Sequence, residues 1–141
     1  MTIKFTKKDQ SLICIKNPEI DGDVGYDIYS AAETTILAHN SGLIETGLFL
    51  ELPKGYWFEI MPKSGLAIKH SIAVHNGVID NGYRGEVIIH VYNHGNKNYT
   101  FKKNEKISQG VLRKSHVLEL EEVNKLSRTN RGLKGFGSTG K

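Results

Sequence analysis

The sequence predicts an all-β protein, a sandwich or jelly roll. Before Lys125 the apolar residues fall in short runs rich in β-branched and aromatic side chains, separated by Gly, Pro, Asn and Asp. No window sustains the 3.6-residue apolar period of an amphipathic helix. The third observation is Asn81-Gly82, set between the apolar runs on either side of it, which is the strongest hairpin signal in the chain.

Taken in order, strands are expected over Leu12 to Ile15, Thr34 to Leu37, Leu43 to Leu52, Tyr56 to Met61, Glu86 to Tyr92, Lys106 to Leu112 and His116 to Glu121. Pro53-Lys54-Gly55 supplies a tight turn between two of them. Ser64 to Lys69 has room for one short helical turn. A chain of 141 residues fits one domain with its own core, here 1–124, followed by a Gly-rich basic C-terminal arm, 125–141.

Composition narrows the function classes. Cys14 is the single cysteine, so no internal disulfide forms; it lies in the apolar run Leu12 to Ile15 and reads as core filler in a reducing, intracellular compartment, cytoplasm or nucleus. No apolar run approaches membrane-spanning length, and MTIKFTKKDQ has no apolar h-region, so neither a membrane segment nor a secretory leader is expected. The net charge is +4, yet five of the 19 basic residues and none of the 15 acidic ones lie from Lys125 to Lys141. The first 124 residues therefore carry 14 basic against 15 acidic side chains, a net of −1. That distribution argues against stable nucleic-acid binding by a broad basic face and for a local anion site supplied by the arm. The six histidines lack HxH or HExxH spacing, so no zinc site is expected; His39, His94 and His116 read as surface residues, and Trp57 as core or subunit interface.

Five stretches carry candidate chemistry, each with an ordinary alternative. In Gly77 to Glu86, Asp80 and Tyr83 flank the Asn81-Gly82 turn, either as a pocket in which a flat ligand lies against bare backbone or as a plain hairpin. Asp27, two residues after Gly25, is a metal contact or a turn carboxylate. Pro62 to Ala67 is an anion-binding loop, with Ser64 and Gly65 offering backbone N–H groups, or a simple strand-to-helix connection. Gln109 is a phosphate or sugar contact or an exposed strand amide. The arm, Asn130 to Lys141, ends in Gly135-x-x-x-x-Gly140-Lys141 but lacks the Ser or Thr and the helix that a P-loop needs. A disordered tail is one reading; a segment closing over a polyphosphate, with Phe136 stacked on a base, is the other.

Five stretches in order, GYDIYSA at Gly25 to Ala31, PKSGLA at Pro62 to Ala67, GVIDNGYRGE at Gly77 to Glu86, KISQGVL at Lys106 to Leu112 and RGLKGFGSTG at Arg131 to Gly140, resemble the five motifs of the trimeric dUTP pyrophosphatases (dUTPases). The resemblance spans nearly the whole chain. It implies a jelly-roll-like β-clip subunit with a flexible C-terminal arm, assembled as a homotrimer, and Mg²⁺-dependent hydrolysis of dUTP to dUMP and pyrophosphate. Carried over by residue, it implies Asp80 as the base for the attacking water, and Tyr83 packed on the deoxyribose. Backbone around Asn76, Gly77, Val78 and Ile79 would read the uracil edge, and Asp27 would hold the waters around Mg²⁺. It implies phosphate contacts from Lys63, Ser64, Gly65 and Gln109. From a neighbouring subunit's arm it implies Arg131 on the γ-phosphate, Phe136 over the uracil, and Gly137 and Ser138 on the phosphates.

Two positions depart from the family pattern. Lys63 stands where arginine is usual, replacing a bidentate fork by a point charge. Lys134 stands where a small residue is common, and is expected to add phosphate charge. The competing readings on the same fold are a dCTP deaminase, alone or bifunctional, and a nucleotide-gated interaction protein.

Overall fold

The computed structural model describes residues 1–75, 77–133 and 135. The strands are β1 (Lys4–Lys7), β2 (Ile15–Lys16), β3 (Gly25–Tyr29), β4 (Thr34–Ile36), β5 (Ser41–Glu51) and β6 (Tyr56–Met61), then β7 (Ile72–Val74), β8 (Val78–Ile79), β9 (Glu86–Asn93), β10 (Tyr99–Phe101) and β11 (Lys106–Lys114); helix α1 (Ser64–His70) lies between β6 and β7. They form a four-stranded sheet in the order β1-β5-β9-β7, a five-stranded sheet in the order β2-β3-β11-β6-β8, and the pair β10-β4. All strand pairings are antiparallel.

The core lies between the sheets. On β9 the inward residues Val87, Ile89 and Val91 are fully buried, as the two-residue period of a half-buried strand requires. They meet Ile44, Leu48 and Leu50 of β5, Phe58 and Ile60 of β6, and Ile107 of β11. The buried polar side chains of β9 and β5 are satisfied: Asn93 Nδ2 donates to Ile36 O at 3.1 Å and to Lys97 O at 2.8 Å, and Thr46 Oγ1 donates to Val87 O at 2.5 Å. Gly110 of β11 is required by packing, because a Cβ there would overlap the buried ring of Phe58 on the neighbouring strand. Gly55, at φ 82°, supplies the left-handed residue of the Pro53 turn, closed by Tyr56 N to Pro53 O at 3.2 Å.

Three expectations are corrected. His116 to Glu121 is not a strand: the segment after β11 is exposed, and its alternating apolar residues have no strand beside them in this subunit. Leu12 to Ile15 contributes only Ile15 to a ladder. Its other polar groups are met irregularly, Ile13 N by Asn104 Oδ1 at 3.0 Å and Cys14 O by Tyr29 N at 3.0 Å. Cys14 is buried as expected, and burial pushes its thiol up.

Asn81-Gly82 is a turn but not the tip of a two-residue hairpin. Tyr83 N donates to Asp80 O at 3.1 Å, yet β8 pairs with β6 in one sheet and β9 with β5 and β7 in the other. Gly82 is not among the described glycines with positive φ, which are Gly22, Gly47, Gly55 and Gly132. A primed turn is favoured because it matches the twist of two paired strands, and here the chain instead crosses between sheets.

Candidate functional site

The third-motif residues are placed by β8 and the crossing that follows it. β8 is the last strand of its sheet, so one edge of its backbone has no strand neighbour. Ile60 N donates to Gly77 O at 2.8 Å, which aims Gly77 at β6. Strand residues alternate the side to which N–H and C=O point, so those of Val78 face the open edge. A planar ligand with donor and acceptor edges can pair there, as a further strand would.

Asp80 is exposed and lines a cavity of about 450 Å³ with Tyr56, Trp57, Val78 and Asn81. Its turn is held from below: Asn81 Nδ2 donates to Leu52 O at 3.0 Å and Pro53 O at 2.8 Å, tying the crossing to the turn between β5 and β6. Arg84 Nη1 closes it from above, donating to Asn81 O at 2.8 Å and Tyr83 O at 2.9 Å. The Tyr83 hydroxyl donates to Glu86 O at 2.9 Å, and a Cβ on Gly85 would overlap the Tyr83 ring. Gly85 therefore leaves space for a ring whose polar end is fixed and whose face, on a 44% exposed residue, is open to a ligand.

A second cavity, about 390 Å³, gathers Gly25, Asp27, Lys63, Lys106 and Gln109. Asp27 and Gln109 are direct cross-strand partners on β3 and β11, and their side chains share a face. Gln109 Nε2 donates to Pro62 O at 3.1 Å, pinning the loop before α1, and a Cβ on Gly25 would meet the Gln109 amide oxygen. Asp27 carries an ammonium on each oxygen: Lys63 Nζ lies 2.5 Å from Oδ1 and Lys106 Nζ 2.7 Å from Oδ2. Burial alone would push the Asp27 carboxyl up, but hydrogen bonds and charge from Lys106 and Lys63 outweigh it and hold the group below its usual range. The bond to Asp27 correspondingly raises Lys106.

α1 starts at Ser64 with Lys63 in extended conformation at its N-cap and no side-chain cap hydrogen bond. Both Ser64 and Gly65 are exposed. Their N–H groups fall in the first turn, where an α-helix has no intrahelical acceptor to offer.

The residues fit Mg²⁺ only in one mode. Among the described residues no cluster of three His, Cys, Asp or Glu side chains can hold a metal ion, so a cage of protein ligands is not available. Mg²⁺ ordinarily keeps several waters and takes substrate phosphates with one or two carboxylates. The hard, ionised oxygens of Asp27, lining an open polar cavity, suit contact through such waters.

Within one subunit these residues form two groups, not one. Asp80 and the β8 backbone lie in one cavity, and Asp27, Lys63 and Gln109 in another. Arg131 is exposed on the segment beyond β11. Asn76, Lys134, Phe136, Gly137 and Ser138 lie outside the described residues. Two residues that the sequence reading did not place in the site join the cavities: Trp57 beside Asp80, and Lys106 on Asp27. Lys106 opens the Lys106 to Leu112 motif, but three residues from Gln109 a regular strand would place it on the opposite face. A register irregularity between Lys106 and Ser108 returns it to the face of Asp27, pairing Lys106 with Tyr29.

The family model described as dUTPase matches residues 12–140. The deoxyuridine 5'-triphosphate nucleotidohydrolase of Clostridium acetobutylicum is 44% identical over 144 residues, covering 99% of this chain and 97% of its own. That of Trichodesmium erythraeum is 45% identical over 142 residues, covering 99% of each. The structure of the Staphylococcus bacteriophage 80alpha dUTPase with dUPNHPP superposes with a TM-score of 0.90 at 25% identity, covering 99% of this chain and 98% of the other. No helix of the described residues is long and apolar enough to cross a membrane. By a match of this extent, the chain belongs to the dUTPase family.

Proposed function

We propose that the protein hydrolyses dUTP to dUMP and pyrophosphate, limiting uracil incorporation into DNA and supplying dUMP for thymidylate synthesis. The observation that carries the proposal is the pairing of an open β8 edge with Asp80 immediately after it, so that a base-reading edge and a general base are delivered together.

Uracil lies along Gly77, Val78 and Ile79, where the main chain reads its polar edge and leaves no room for a thymine methyl. The deoxyribose packs on the Tyr83 ring, and a 2′-hydroxyl would clash there. The Asp80 carboxylate accepts a proton from water as that oxygen bonds to the α-phosphorus. The bond from the α-phosphorus to the bridging oxygen breaks, and pyrophosphate leaves with the electron pair. Lys63, Ser64, Gly65 and Gln109 hold the phosphates, and Asp27 would hold Mg²⁺ through water. Bound there, Mg²⁺ would neutralise phosphate charge as it develops.

The separation of the two cavities supports work as a homotrimer, in which the Asp80 cavity of one subunit faces the Asp27 cavity of another. The segment after β11 supports the same reading. Val117, Leu118, Leu120 and Leu126 are each more than 80% exposed, which suits a segment that packs on a neighbouring subunit and carries Arg131, Phe136, Gly137 and Ser138 to its site.

Asp80→Asn tests the proposal. The amide is nearly isosteric but cannot act as base, so turnover should fall by about two to four orders of magnitude while a non-hydrolysable dUTP analogue still binds. Turnover equal to wild type would remove Asp80 from that role.

A further inference from the structure

We propose that Lys106 is a positioning residue that holds Asp27 in place when Lys63 leaves it for the triphosphate. The inference rests on the reading of the site given above.

One carboxylate is divided between two lysines, one on a loop and one on a strand. Lys63 sits on the connection between β6 and α1, next to Ser64 and Gly65, and takes Oδ1. Lys106 opens β11, paired with Tyr29 of β3, and takes Oδ2. The irregularity in β11 explains how it gets there. Gln109 pairs with Asp27, Ser108 with Ile28 and Lys106 with Tyr29, so Ile107 is the extra residue. The bulge buries Ile107 in the core and turns Lys106 onto the face of Asp27. Lys16, the cross-strand neighbour of Asp27 on β2, does not share this task, since its ammonium lies 5.6 Å from the centre of the Tyr29 ring.

The two ion pairs then have different fates. An arriving triphosphate offers Lys63 several anionic oxygens in place of one shared carboxylate oxygen, and the ammonium can follow them by rotating its four-carbon stem. Without a second anchor, Asp27 would be released to other rotamers at the moment its oxygens are needed. Lys106, whose backbone is paired with Tyr29 in the sheet, stays on Oδ2. A single arginine on both oxygens would have to give up Asp27 altogether, whereas two lysines let one go and one stay.

The test separates the two lysines by what they lose. Lys106→Ala, Lys106→Met and Lys106→Arg are compared with Lys63→Ala. Calorimetry measures affinity for a non-hydrolysable dUTP analogue in EDTA, and pyrophosphate release with Mg²⁺ gives kcat and KM. Lys106→Ala should lower kcat about 10- to 100-fold, as loss of a ligand-orienting partner does, with analogue affinity in EDTA held within about twofold. Lys106→Arg should restore most of kcat. Lys63→Ala should show the reverse, an analogue affinity weakened about tenfold, as expected for one charged phosphate contact. Lys106→Met retains the aliphatic stem and carries the same comparison if the alanine variant folds poorly. Equal loss of analogue affinity in the Lys106 and Lys63 variants would overturn the proposal by making both direct phosphate contacts. Wild-type kcat in Lys106→Ala would overturn it as well. Failure of the wild-type protein to hydrolyse dUTP would instead refute the functional reading on which the proposal stands.

Discussion

Asn81 joins fold to chemistry, and its removal has a consequence that can be calculated. The crossing from β8 to β9 has no ladder of its own; Asn81 Nδ2 ties it to Leu52 O and Pro53 O at 3.0 and 2.8 Å. Pro53 O keeps a second donor, Tyr56 N, when the amide is lost. A neutral hydrogen bond contributes about 0.5–1.5 kcal/mol net, so Asn81→Ala should destabilise by about 1–2 kcal/mol. For a chain of this size that lowers the melting temperature by about 3–7 °C. Asn81→Asp is the sharper variant. It is closer in shape but aims carboxylate oxygens at two carbonyl oxygens, adding roughly 1–2 kcal/mol for unmet acceptors and repulsion. Because Asp80 is the preceding residue, both variants should also lower turnover, by about 10- to 100-fold for a displacement near 1 Å. Urea unfolding at fixed protein concentration, followed by pyrophosphate release, gives both quantities. An Asn81→Asp protein as stable as wild type, or more stable than Asn81→Ala, would refute the anchoring role.

If the deoxyribose packs on the Tyr83 ring as proposed, Tyr83→Phe should retain discrimination between dUTP and UTP, since the hydroxyl bonds Glu86 O; Tyr83→Ala should lose it, read as the ratio of kcat/KM for the two nucleotides. Tyr99 gives the alkaline limb of stability. Burial, then the hydrogen bond and charge of Glu105, push its phenol up to about 12 from an ordinary 10.0. A raised folded-state value means that the contribution is complete below pH 10 and is lost as pH rises through 12. Tyrosinate absorbance should therefore show one late-ionising group that disappears in Tyr99→Phe, and that variant should unfold with a shallower pH dependence over the same range.

The sequence exposes the features that follow a period. β6, β9 and β11 were legible from apolar alternation or density, the Pro53 turn from its residue types, and α1 from a small stretch between strands. β1, with one apolar residue in Lys4–Lys7, and the short strands β7, β8 and β10 lack enough length for a period to register. His116 to Glu121 looked like a strand because apolar and acidic residues mix there at β-like spacing, but a strand needs a neighbour and this subunit supplies none. Within the candidate site, Asp27, Asp80, Tyr83 and Gln109 stand out in the sequence as residue types in turn or strand contexts that suit the proposed chemistry. Lys106 does not, because its position on the Asp27 face depends on one extra residue in β11, and register is a property of two strands together. Trp57 was read as core or interface, and its place beside Asp80 depends on β6 pairing with β8 rather than on anything local.

The proposed site is expected to read uracil by its edge, deoxyribose by its missing hydroxyl and the triphosphate by its charge. The most direct test is pyrophosphate release by the wild-type protein from dUTP, dTTP, dCTP, dATP, dGTP and UTP in the presence of Mg²⁺. Hydrolysis is expected only with dUTP, with formation of dUMP; equal rates on dTTP, or ammonia released from dCTP, would overturn the proposed specificity.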